Sequence, residues 1–209
     1  MSKRLLIVFV KNSRPGSVKT RLAKTIGYEA AFTIYKELVA ITENAIQHIA
    51  VDKIIYFSET LENTSWNTFS KKVQLGTHLG ERMQHAFQEG FQQGYTEIVL
   101  IGSDLPDISE TIIQSGFNAL KNTPLVFGPA QDGGYYLIGM TQPHSFVFTN
   151  KPWSQPNLLQ ETLIELKEKN IGYTLLETLN DIDTFEDLQQ SNFYNNSKHI
   201  QEIVKAVIS

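Results

Sequence analysis

The chain has 209 residues, 41% of them hydrophobic and 19% charged, with a formal net charge of −4 and no cysteine. A length of this order fits one domain with a sizeable core. The acidic balance excludes the basic excess that marks a nucleic-acid-binding face, and the missing cysteines exclude disulfides, zinc–thiolate sites and a cysteine nucleophile.

"MSKRLLIVFV" sets basic residues before an apolar run, as a signal peptide does, but the run "LLIVFV" is short and "KNSRPG" follows it without a small-residue cleavage site. No segment approaches the roughly 18 apolar residues needed to span a bilayer. The expectation is a soluble, cytoplasmic protein.

In chain order, 5–10 reads as the first buried strand: apolar, β-branched and without strict alternation. The loop "KNSRPGSVKTRLAK" follows, with Lys11, Arg14, Lys19, Arg21 and Lys24 and no acid. Gly16 lets backbone N–H groups approach a ligand, Lys supplies a point charge and Arg a bidentate fork, so a phosphate chain is the natural ligand. A Walker loop is excluded, because Ser17-Val18 separate Gly16 from Lys19. The bland alternative is a solvated basic loop.

A helix is predicted over 28–49, with Ile34, Leu38, Ile41 and Ala45 on one face, then a strand over 53–57. In "GTHLGERM", Gly80 begins a helix over 80–94. Arg82 in its first turn is unfavourable beside the positive helix end, which suggests that it faces a ligand phosphate or else solvent; His78 reads as an exposed loop residue. The next strand, 97–102, leads into "SDLPDIS". There Asp104 stands at a strand's carboxyl end, where a carboxylate can hold a divalent cation, and Asp107 or Ser109 caps a helix over 109–122, with Asp107 read chiefly as a cap.

Strands at 124–128 and 135–140 are too close for a helical crossover, so they pair antiparallel or lie apart in the sheet. The intervening Asp132-Gly133-Gly134 is a turn signal. The two glycines also offer a surface without side chains for a base, ribose or acceptor, beside Tyr135 and Tyr136, of which one is expected in the core. Ser154 in "PWSQ" is expected to cap a helix over 155–170 with Trp153 beneath it, and 172–178 reads as a late strand. In "LNDIDTFEDL", Thr184 and Asp187 make a capping box, which leaves Asp181 or Asp183 as a second metal carboxylate. Phe193 and Tyr194 read either as a homodimer contact or as cover for the sheet edge.

Alternating strands and helices imply an α/β fold with a mostly parallel sheet covered on both faces. Ligands then bind beyond the carboxyl ends of the strands. A basic phosphate loop with two carboxylates is what metal-assisted phosphoryl or glycosyl transfer requires, with no nucleophilic side chain.

The ordered series "RPGSVKTRLA", "GERM", "IGSDLP", "GPAQDGGYYLIG" and "DIDTFEDL" resembles an uncharacterised bacterial family of glycosyltransferase-A-like (GT-A) proteins, the rSAM/selenodomain-associated transferase 1 family. It is distantly similar to the molybdenum-cofactor and phospholactate guanylyltransferases. The resemblance runs from about residue 4 to residue 190. It implies a three-layer α/β/α sandwich with a mixed sheet, the nucleotide-diphospho-sugar transferase fold. It also implies Lys19 and Arg21 as the basic phosphate loop, Asp104 as the metal aspartate and Asp183 as the second carboxylate. Thr77-His78 depart from the Gly-Asp expected before "LGERM".

Two functions stay open. One is a transferase that uses Mg²⁺ or Mn²⁺ and a nucleotide or nucleotide-sugar. In it Lys19, Arg21 and Asp104 carry the chemistry, Arg14, Gly16 and Arg82 assist phosphate binding, and Asp132, Gly133, Gly134 and Tyr135 form the pocket for a base or an unknown acceptor. The other is a nucleotide-binding regulatory subunit without catalysis.

Overall fold

The computed structural model describes residues 3–12, 14–63 and 65–208. Among them lies a seven-stranded sheet in the order β3-β2-β1-β4-β6-β5-β7. Its strands are β1 (Arg4–Val10), β2 (Asp52–Phe57), β3 (Ser70–Val73), β4 (Glu97–Gly102), β5 (Leu125–Pro129), β6 (Tyr135–Met140) and β7 (Tyr173–Leu175). Every pairing is parallel except those of β6, which runs antiparallel to both β4 and β5. The fold is therefore an α/β fold with a mixed, mostly parallel sheet, and β5 and β6 do form the expected antiparallel pair.

Alternation along the strands divides the core into two layers. Leu5, Ile7 and Phe9 of β1 join Ile98 and Leu100 of β4 on one face, against Met83, Phe87 and Leu166. Leu6, Val8 and Val10 join Val99 and Ile101 on the other, against Ile113, Phe117 and Trp66. Helices α3 (Leu79–Gln92) and α5 (Leu158–Glu168) supply the first cover, and α4 (Glu110–Ala119) the second. Because β1 is buried on both faces and paired on both edges, its sequence shows no polar alternation.

A third cluster joins α1 (Thr20–Ile26), α2 (Tyr28–Ile46), α6 (Phe185–Gln190) and α8 (Lys198–Ile208) through Leu22, Ile34, Leu38, Leu188 and Ile200. Phe193 and Tyr194, on the short α7 (Asn192–Asn195), pack onto this cluster and not onto the sheet edge. Gly27, at φ 78°, separates α1 from α2 in a conformation that β-carbons disfavour. No helix among the described residues is long and apolar enough to cross a membrane.

Several local expectations need correction. Ser109, not Asp107, caps α4, accepting from the Ile112 N–H at 3.3 Å. The predicted helix over 155–170 begins only at Leu158, after Asn157, and Ser154 instead sits in the left-handed region at φ 63°. Trp153 packs against the start of α3, where a β-carbon on Gly80 would come 2.6 Å from its ring. His78 is the N-cap of α3, its Nδ1 accepting from the Glu81 N–H at 3.4 Å; it does the capping work an aspartate would do there. The Thr184–Asp187 capping box is present as expected.

Candidate active site

The carboxyl ends of β1 and β4 lie side by side, since the two strands pair in register from Arg4↔Glu97 to Phe9↔Gly102. The loop after β1 and the loop after β4 therefore leave the sheet as neighbours. A third segment joins them through the parallel bridge Ala130↔Leu179 and the hydrogen bond from the Gln131 N–H to the Leu179 carbonyl at 3.0 Å. That bridge delivers residues 181–183 to the same end of the sheet.

Lys19 is the meeting point. Its side chain is 2% exposed, and its Nζ donates to Asp104 Oδ2 at 2.9 Å and to Asp183 Oδ1 at 3.4 Å. Burial pulls the ammonium towards neutrality, but the charges of Asp104 and then Asp183 outweigh that and raise its pKa. Burial likewise works to raise Asp104, and Lys19 and Lys11 more than reverse it, so its carboxyl stays below the usual range. Lys19 occupies the left-handed region at φ 48° and ψ 43° immediately before α1, a backbone conformation that costs a β-carbon-bearing residue about 1–2 kcal/mol.

The other predicted cations are placed differently. Arg21 reaches Asp183 at 3.6 Å from a side chain that is 68% exposed, and Arg14 lies 3.5 Å from Glu59 on the surface. Gly16 adopts φ 85° in the exposed turn between them. Arg82 turns back on its own loop, donating to the Gly76 carbonyl at 3.1 Å and to Gln74 Oε1 at 3.4 Å. It is not brought into the Lys19 cluster, because unpaired loop carbonyls satisfy it first.

Asp181 faces the same region, and its carboxyl is pushed up to about 6 by burial and then by Asp183, with Asp104 and Asp132 adding to the effect and Lys19 opposing it. Four carboxylates thus share a site whose nearest ammonium is already divided between two of them.

Beside Asp104 lies a cavity of about 250 Å³, lined among others by Phe9, Met83, Asp132, Gly134, Tyr135 and Trp153. Asp132 forms the hairpin turn between β5 and β6, its Oδ1 accepting from the Gly134 N–H at 2.8 Å. Gly133 does not serve the cavity: at φ 89°, a β-carbon there would stand 1.8 Å from the Pro156 carbonyl oxygen, so the glycine makes room for backbone. Tyr135 lies in the wall against Phe127, its hydroxyl buried without a hydrogen-bond partner. Tyr136 covers Gly128 and donates to the Glu177 carbonyl at 3.1 Å, so both tyrosines are half-buried and neither is wholly core.

Asn12 was not anticipated from the sequence. It is 4% exposed. Its Nδ2 donates to the Thr60 carbonyl at 2.7 Å and to Glu62 Oε1 at 2.8 Å, while its Oδ1 accepts from the Glu59 N–H at 2.7 Å and the Thr60 N–H at 3.1 Å. It pins the loop after β2 to the basic loop. Its place directly beyond the first strand was the available signal.

A family model described as "Uncharacterized protein conserved in bacteria (DUF2064)" matches residues 40–155, more than half of the chain. Among solved structures, the chain is similar to a "putative nucleotide-diphospho-sugar transferase" from Desulfovibrio desulfuricans G20, with 29% identity, 99% of each chain covered and a TM-score of 0.87. Its fold is also similar to that of 4-diphosphocytidyl-2C-methyl-D-erythritol synthase from Anaerococcus prevotii DSM 20548 (11% identity, 94% of this chain and 99% of that one, TM-score 0.59). A third likeness is to Rv0371C from Mycobacterium tuberculosis H37Rv in complex with manganese (11% identity, 94% and 100% covered, TM-score 0.57). No curated protein matches the chain. The ordered motifs, the mixed sheet with its antiparallel β6 and the family match agree: the chain belongs to the bacterial family DUF2064 and has the nucleotide-diphospho-sugar transferase (GT-A-like) fold.

Proposed function

We propose that the whole chain acts as one transferase domain on a nucleotide donor with the help of Mg²⁺ or Mn²⁺. The observation that carries this reading is the convergence of Lys19, Asp104 and Asp183 beyond the carboxyl ends of β1 and β4. The names of the similar structures support it, since they include a nucleotide-sugar transferase, a cytidylyl-type synthase and a manganese complex.

The donor set suits a hard divalent cation. Carboxylate oxygens are its preferred ligands. Burial first, and then the neighbouring Asp183, Asp104 and Asp132, lift Asp181 to about 6, and the second of these effects is what such a cation would offset. Asp104 and Asp183 would hold it. When bound, it neutralises charge developing on phosphate oxygens. Lys19 balances the two carboxylates before the donor arrives and then contributes its charge to the phosphates, and the exposed Arg21 adds a second cation from the first turn of α1. The cavity next to Asp104 receives the acceptor.

Melting the protein with nucleoside triphosphates and with nucleotide-sugars, each with and without Mg²⁺ or Mn²⁺, tests the reading, because a ligand of the folded state raises its melting temperature. A metal-dependent rise with one donor, absent in Asp104→Asn, is expected. Equal stabilisation of Asp104→Asn and wild type would overturn the metal assignment. Release of pyrophosphate from the bound donor identifies nucleotidyl transfer, and release of a nucleoside diphosphate identifies glycosyl transfer.

A further inference from the structure

The charges of the site are segregated. The cations belong to the loop after β1 and to α1, and the charged residues of the cavity beside Asp104 are all acids: Asp104, Asp132 and Asp181 line it, and no Lys, Arg or His among the described residues does. The cations nearby already have partners. Lys19 is shared between Asp104 and Asp183, Arg82 donates to its own loop, and Lys151, two residues before Trp153, is paired with Glu165.

Several backbone donors at the rim of the cavity are also engaged. In the hairpin turn the Ala130 N–H donates to Gly134, the Gly133 N–H to Ala130 and the Gly134 N–H to Asp132. At the adjoining start of α5, the Leu158 N–H donates to Gln155 and the Leu159 N–H to Gly133. A phosphate placed in this cavity would meet three carboxylates, of which only Asp104 has an ammonium against it, and that ammonium is shared with Asp183; such a burial is expensive.

From this we infer that the cavity takes an acceptor without an anionic group: an alcohol or amine borne on an apolar, ring-sized body. The inference rests on the transferase reading above and names the substrate class of that site. The walls of Phe9, Leu79, Met83, Ile108 and Trp153 suit the apolar body. The volume of about 250 Å³ exceeds the roughly 150 Å³ that accommodates benzene, leaving space for a substituent. The carboxylates suit a hydroxyl or ammonium, which donate hydrogen bonds. In the transfer, the acceptor's oxygen or nitrogen bonds to the donor's phosphorus or anomeric carbon. The bond from that atom to the departing pyrophosphate or nucleoside diphosphate breaks, and the acceptor's proton passes to water.

Three probes of one shape separate the possibilities: benzyl alcohol, benzylamine and benzyl phosphate, titrated against the full chain and followed by ligand-observed NMR. Benzylamine and benzyl alcohol are expected to bind at least about tenfold more tightly than benzyl phosphate, the factor one unpaired charge readily imposes. Asp132→Asn keeps an acceptor for the Gly134 N–H, and it should narrow the amine-to-phosphate ratio about twofold to fivefold, as expected for one exposed charge. Trp153→Phe should weaken all the binding.

Tighter binding of benzyl phosphate, binding of none of the three, or binding unchanged in both variants would each overturn the inference. Donor melts on the same preparation keep the two readings apart. A nucleotide shift without the probe preference overturns only the acceptor class, and the preference without any nucleotide shift overturns the transferase reading beneath it.

Discussion

The ammonium of Lys19 donates to Asp104 at 2.9 Å across 85 positions of sequence, joining the loop beyond β1 to the loop beyond β4. The contact is made from a left-handed backbone at Lys19 and leaves Asp104 with its counter-charge in place. Removing the lysine therefore tests both architecture and binding.

Lys19→Met leaves Asp104 and Asp183 without their shared counter-charge. Urea melts should show a loss of about 1–3 kcal/mol, moderated because both carboxylates retain some solvent contact. Adding Asp104→Asn should recover part of that stability by removing a like charge, yet restore no nucleotide-induced shift. Recovery of both would show that Lys19 does not touch the donor.

Asp181 titrates with the opposite sign to most carboxylates. Its pKa rises from 3.8 to about 6 on folding, so the folded state holds the proton more tightly. The stabilisation is complete below about pH 4 and is lost as the pH rises through about 6. Asp181→Asn should then gain about 1–2 kcal/mol at pH 7–8 and nothing below about pH 4, as read from melting temperatures across that range. A carboxylate held low, such as Asp104, does the reverse, losing its contribution as the pH falls.

Gly133 and Gly134 are neighbours with unequal tolerance. Gly133→Ala forces a β-carbon into the Pro156 backbone at a φ of 89° and should cost about 3 kcal/mol or more. Gly134→Ala meets only Asp132 Oδ1, at 3.1 Å, and should change stability by less than about 1 kcal/mol. Thermal melts followed by circular dichroism rank the two directly.

Asn12→Ala strips the hydrogen bonds that tie the Ser58–Glu62 loop to the basic loop. Losing these part-buried hydrogen bonds should cost about 1–2 kcal/mol, and hydrogen exchange at Glu59 and Thr60 should accelerate well beyond that of the sheet. Unchanged exchange there would mean that the loop is held by other contacts.

Much of this architecture was readable beforehand. β4 and β6 occupy the predicted 97–102 and 135–140, because apolar runs bounded by turn residues leave little freedom. Lys19 and Asp104 were singled out for the same reason, each following a buried parallel strand, and the structure brings the two side chains together. β3 was missed because "SKKV" is a polar edge strand, whose charges protect its open side and carry no core pattern. The partners of Arg82 were not readable, since helix-dipole reasoning identifies a strained charge but not the loop carbonyl that answers it. The room that Gly133 makes was not readable either, because the backbone it accommodates, at Pro156, is distant in sequence. The cavity is assembled from α3, the hairpin and Trp153, and no local pattern announces such a union.

The reversed direction of β6 has one more consequence. Where a parallel strand would send its chain into a helix, β5 and β6 close in a five-residue turn over 130–134 that stands beside Trp153 and the start of α5. The wall of the cavity is thus hung from a hairpin and a strap, while the basic loop grows from β1. Changes at 130–136 and 153–158 can reshape one without disturbing the other, so the fold separates the part that can diversify from the part that must stay fixed.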